Sequence, residues 1–215
     1  MGNYFFVAAL SGLLAGLWWP YLGAYFSRRY RVSVSIPMLP WQSWEPVAGM
    51  VIGVLLAIWV PASLPLWAAW WFALAALLAA RIDLFCGVIP YRFSAGLALC
   101  GWVVQWWAEV GVEALLASAV TAGLMGLIAR VSRGGMGGGD IWFAAGMAAW
   151  LSPLAAWMFL CTAFIGGAVV GGAYWLRHGR QRGMTIPFGP CLAVAGIVML
   201  WFGERMSEWS EQIIG

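Results

Sequence analysis

Apolar runs fill nearly the whole of this 215-residue chain, and proline, glycine or arginine closes each one before it can lead into a water-facing domain. The runs cover roughly 4–26, 47–60, 66–80, 93–108, 113–130, 141–151, 154–176 and 188–202. A soluble fold would need polar surface, yet only 9% of residues are charged while 64% are hydrophobic. The expected fold is therefore all-α: a polytopic membrane bundle of about six to eight transmembrane helices, forming one domain over 1–215.

Several runs fall short of the ~20 residues that a perpendicular span needs. The run 141–151 reaches only about 16 Å of a ~30 Å hydrocarbon core, so it reads as a partial or re-entrant helix. Pro61 to Pro65, Val110 to Val112 and Ser152-Pro153 separate neighbours with tight hairpins. The first run has no basic segment before it and is followed by Arg28, Arg29 and Arg31, the reverse of a cleavable signal. Alternating the eight runs puts those arginines with Arg81, Arg92, Arg130, Arg133, Arg177, Arg180 and Arg182 on one side, and leaves Arg205 on the other. By the positive-inside rule that side is cytoplasmic, with both termini outside. Tryptophans such as Trp18, Trp19, Trp67, Trp70, Trp71, Trp106 and Trp107 sit near run ends, as interfacial belts do.

All eleven basic residues are arginine, too few and too scattered for a nucleic-acid face. Cys86, Cys100, Cys161 and Cys191 form no C-x-x-C pair, and His178 is the single histidine. No metal site and no cofactor is expected, and the cysteines read as unpaired thiols buried in apolar surroundings.

Six of the eight acids are glutamates, which leaves Asp83 and Asp140 as the two aspartates. The topology puts both at cytoplasmic helix ends, where an acid at membrane depth costs about 2.5–3.5 kcal/mol and is retained for pairing or function. Pairing with Arg81 or Arg133 is the plain structural explanation. Asp140 resists it, because Gly134-Gly135-Met136-Gly137-Gly138-Gly139 delivers its carboxylate to the start of an apolar helix. Without Cβ atoms such a stretch admits another backbone, and Ile186-Pro187-Phe188-Gly189-Pro190 is a second element able to line the same place.

The inventory narrows the chemistry. With one loop histidine, no lysine and no thiol beside a base, a Ser-His or Cys-His nucleophile is poorly supported. Two carboxylates held together share a proton, one keeping it while the other polarises water for attack on a carbonyl. Such a pair titrates as a unit, and the sequence assigns neither role. Two readings from other classes compete: a small proton-coupled transporter, which would carry inverted-repeat symmetry not visible here, and a non-catalytic assembly factor.

These residues resemble the type IV prepilin peptidases, membrane aspartyl proteases of the G-x-G-D class. Ile82-Asp83-Leu84-Phe85-Cys86-Gly87-Val88-Ile89-Pro90 is similar to the family's first-aspartate segment, and Gly135-Met136-Gly137-Gly138-Gly139-Asp140 to its second. Ile186 to Pro190 is similar to a late I-P-F-G-P segment, so the matches run in order over about 82–200. The resemblance implies Asp83 and Asp140 as the catalytic pair. Pro90, Gly135, Gly137, Gly138, Gly139, Pro187, Gly189 and Pro190 would bind substrate or support the loops. It further implies cleavage of the short basic leader of prepilins or pseudopilins at the cytoplasmic face of a bacterial inner membrane, in the service of pili or protein secretion.

The chain departs from the family pattern in three places. Trp142 stands where a lysine is usual, and Phe85 and Tyr91 where many members carry further acids. Many members also have a tetracysteine zinc module between the first two helices. Here 27–46 is a short loop without cysteine, so methylation of the new N-terminus is not expected.

Overall fold

The computed structural model describes residues 65–132, 135–179 and 187–214; the runs at 4–26 and 47–60, the loop 27–46 and Arg133 lie outside them. Among the described residues, six helices follow in order: α1 (Leu66–Cys86), α2 (Tyr91–Trp107), α3 (Gly111–Val131), α4 (Gly138–Ala148), α5 (Pro153–His178) and α6 (Gly189–Ile214). No strand occurs among the described residues. Among the described residues, three helices are long and apolar enough to cross a membrane, within α1, α3 and α5.

Local chemistry sets the boundaries. Proline precedes α1 and α2 at Pro65 and Pro90, where a missing N–H costs nothing because the first turn has no partner for it. Ser152 caps α5, its hydroxyl accepting the Ala155 N–H at 3.4 Å, and Pro153 takes the first helical position. α1 stops at Gly87, whose φ of 63° is left-handed and whose N–H bonds the Asp83 carbonyl at 2.8 Å. The sequence reading ended this helix near Ala80; the structure carries it on to Cys86, so Asp83 lies inside its last turn.

α4 runs alongside α2 in the same direction, with Gly139 at Ile89, Gly146 at Ser94 and Trp150 at Leu97. α6 lies between α1 and α5, while α4 is held by α2 and α3. Lipid tails are as apolar as leucine, so close packing rather than escape from water holds such helices together, and small residues permit it. Ala68, Ala69, Ala73, Ala76 and Ala79 of α1 are fully buried, as are Ala144, Ala148, Ala163 and Ala193 elsewhere. Trp150, just past α4, is the largest fully buried side chain among the described residues. Its indole donates to the Leu97 carbonyl at 2.9 Å, its own carbonyl accepts from Gln105 Nε2 at 3.2 Å, and its ring meets Phe72 at 5.5 Å. That cluster fixes the inner end of α4 against α1 and α2.

Two expectations need correcting. Trp67, Trp71, Trp106 and Trp107 are exposed as belts require, but Trp70 is 6% exposed and turns into the core. Of the cysteines, Cys161 is exposed and the other three are half-buried, so they are not uniformly core thiols.

Candidate active site

Asp83 is 5% exposed. Its Oδ2 accepts the backbone N–H of Gly189, the first residue of α6, at 2.8 Å. The late glycine-proline element thus reaches this carboxylate directly. A Cβ on Gly189 would lie 2.8–3.0 Å from Asp83 Oδ2, Cβ and Cγ, closer than packed atoms come. Only glycine lets α6 begin this near the carboxylate.

Asp140 arrives from the opposite direction. The sequence predicts a helix from Ile141, with the glycines before it in a loop; in the structure Gly138 and Gly139 already form the first turn of α4, with Gly137 as N-cap. A Cβ at Gly139 would stand 2.7 Å from the Ile89 carbonyl oxygen, so α4 starts directly on the backbone that follows Asp83. Glycine is a poor helix former, costing about 1 kcal/mol against alanine, and here that cost brings the second aspartate to the first. Asp140 then sits in a first turn, where the helix dipole favours an acid.

Asp140 lies outside the three helices of span length. Burial pushes its carboxyl up from 3.8 to about 6, the Asp83 charge adds to the rise, and the Gly137 backbone opposes it. Asp83 and Asp140 lie at the same end of the bundle, where α1, α4 and α6 meet.

The other candidate residues divide by role. Pro90 is buried and starts α2, its carbonyl accepting from Phe93 and Ser94 N–H at 3.0 and 3.2 Å. Pro187 and Pro190 are half-buried on either side of the Gly189 donor. Gly135, Gly137 and Gly138 are exposed; Gly135 closes a turn on the Ser132 carbonyl at 3.2 Å, and a Cβ at Gly138 would meet nothing within 4 Å. Trp142 is also exposed, directed out of the packed core. Among the described residues, no three His, Cys, Asp or Glu side chains gather in a metal-binding group. The backbone of Ile89 as a seat for Gly139, and the Gln105–Trp150 lock, are contributions that the sequence did not signal.

Residues 70–176 match the type IV leader peptidase family. The chain belongs to this family. Its relatives include a prepilin leader peptidase/N-methyltransferase of Burkholderia pseudomallei, 32% identical over 171 residues, covering 74% of this chain and 53% of the relative. Proteins of the same name from Legionella pneumophila and Xanthomonas campestris are 34% and 38% identical over 74 residues, covering 34% of this chain and 26% of each relative. The chain thus spans between a quarter and about half the length of these curated relatives. No solved structure gives a significant match. Both Asp83 and Asp140 fall within the leader peptidase match, whereas Gly189 lies beyond it.

Proposed function

We propose that this chain is a membrane aspartyl endopeptidase that removes the short basic leader of type IV prepilins or pseudopilins, with Asp83 and Asp140 activating water between them. The observation that carries the reading is the convergence of three sequence elements on one carboxylate pair: Gly139 seated on Ile89, and Gly189 donating to Asp83. Family membership supplies the substrate class.

The chemistry follows from the pair. A singly protonated dyad offers a carboxylate to draw a proton from water and a carboxylic acid to protonate the scissile carbonyl, so the carbonyl carbon is attacked without a metal-bound nucleophile. The Gly189 amide fixes the rotamer of Asp83, and positioning of this kind matters because an error near 1 Å costs about 10²-fold in rate. A peptide bond in a helix is shielded by its own hydrogen bonds, so the substrate segment must be extended at the site. The open side at Gly138 leaves room for that strand beside Asp140.

The arginine distribution supports placing this end of the bundle at the cytoplasmic face of the inner membrane, where a basic leader would lie. The cysteine-free loop 27–46 supports peptidase action without methyl transfer. Mass spectrometry of a prepilin incubated with the purified chain tests both points. The expected product is a shortened pilin with an unmodified N-terminus. An intact substrate would overturn the peptidase reading, and a product heavier by one methyl group, dependent on this chain, would overturn the restriction to cleavage.

A further inference from the structure

The short helix α4 leaves space behind it. With 11 residues it rises about 16 Å and ends inside the bundle, whereas α2, α3 and α6 continue past Trp150. A cavity of about 200 Å³ occupies that space, beside the connection between α2 and α3. By helical rise it is about 20 Å along α2 from the aspartate end, so it belongs to the opposite end of the molecule.

Its lining is chemically specific. Trp150, Met199 and Leu200 make apolar walls, and Gln105, Glu113 and Ser152 supply the polar groups. No basic residue lines it. Gln105 is 8% exposed, and the Trp150 carbonyl holds its amide nitrogen at 3.2 Å, which sets the orientation of the amide and leaves its oxygen as an acceptor. A guest matched to these groups brings positive charge for Glu113, N–H donors for the amide oxygen and the serine hydroxyl, and an apolar continuation.

Size and position select among such guests. Sites for drug-sized molecules run to about 300–1,000 Å³, so this cavity suits a headgroup rather than a peptide or a helix. Trp106 and Trp107, 62% and 77% exposed on the last turn of α2, mark this end as headgroup level. A quaternary ammonium has no N–H to donate and is recognised by aromatic faces, whereas a primary ammonium satisfies the acceptors found here. We propose that this cavity binds the primary ammonium headgroup of a phosphatidylethanolamine-type lipid, with Glu113 as its counter-charge and Gln105 and Ser152 as hydrogen-bond partners.

The full chain in nanodiscs of mixed phosphatidylethanolamine and phosphatidylcholine, released for native mass spectrometry, tests this without reference to peptidase activity. The ethanolamine lipid should be retained about two- to fivefold above its bulk share, the worth of one exposed charge pair. Glu113→Gln should return retention to the bulk ratio, and Glu113→Asp, which keeps both the charge and the favourable acid in the first turn of α3, should preserve most of the enrichment. Equal retention of the two lipids by the wild type would overturn the proposal. So would enrichment that Glu113→Gln leaves intact, or Glu113-dependent retention of soluble ethanolamine in discs lacking the ethanolamine lipid together with its displacement of that lipid from mixed discs, which would make the ligand a free amine.

Discussion

Asp83 stands in the last turn of a 21-residue helix, buried and gripped by the Gly189 amide at 2.8 Å. Asp140 opens an 11-residue helix on a glycine run, half-exposed, with free space beside Gly138. One carboxylate is fixed by a neighbouring helix terminus; the other is carried by backbone that can admit a second chain. Held firmly on both sides, the pair would leave no path for substrate. Loose on both sides, it would not hold the geometry that shared-proton chemistry needs. In the proposed reaction, this asymmetry would have Asp83 keep the reference position and Asp140 meet the incoming segment.

The comparison breaks most sharply at the contacts that create it. Gly189→Ala forces a Cβ to within 3 Å of Asp83, and Gly139→Ala forces one to 2.7 Å from the Ile89 carbonyl, so neither neighbour can yield without moving an aspartate. Each should lower kcat/KM about 10²-fold while the protein still accumulates in membranes, measured on purified protein with a synthetic prepilin. Gly138→Ala sharpens the contrast, because its Cβ meets nothing in the chain. It should raise KM with kcat held within about twofold, the mark of an obstructed substrate rather than a displaced carboxylate.

Acid-base behaviour gives a smaller, graded effect. Asp140 is ionised above about 6 and holds its proton below that. If the working dyad carries one proton, kcat/KM falls as pH rises through about 6, by up to tenfold per unit. The limb in kcat should lie higher, since bound substrate excludes water and further disfavours the charged acid. A flat kcat/KM profile between pH 5 and 8 would remove Asp140 from the proton-sharing role. The smallest expected effect is at Cys191, half-buried two residues from the Gly189 donor. Cys191→Ser should stay within about twofold of wild type in the same assay, as a residue adjacent to the site without a part in its chemistry.

Fold class, the short sixth run and the placement of both aspartates at helix ends were legible in the sequence because membrane helices and acids at their ends leave one-dimensional marks: apolar run length, breakers and isolated carboxylates. Helix ends were less legible. Gly138 and Gly139 read as breakers, yet they form the first turn of α4, because packing against Ile89 outweighs a poor helix propensity. Trp70 read as interfacial from its place near a run end, but helical phase turns it inward, and phase is hard to see where every face is apolar. The donor from Gly189 to Asp83 spans 106 residues and belongs to the backbone, so no side-chain pattern announces it.

The central claim is that the two aspartates act as one unit, and the most direct measurement is the gel shift of a prepilin co-expressed with the wild type, Asp83→Asn or Asp140→Asn, each verified for membrane abundance. Removing a general acid or base costs about 10²–10⁴-fold, so the account predicts a shortened pilin with wild type and intact prepilin with each variant. A shortened pilin with either variant at normal abundance would contradict it.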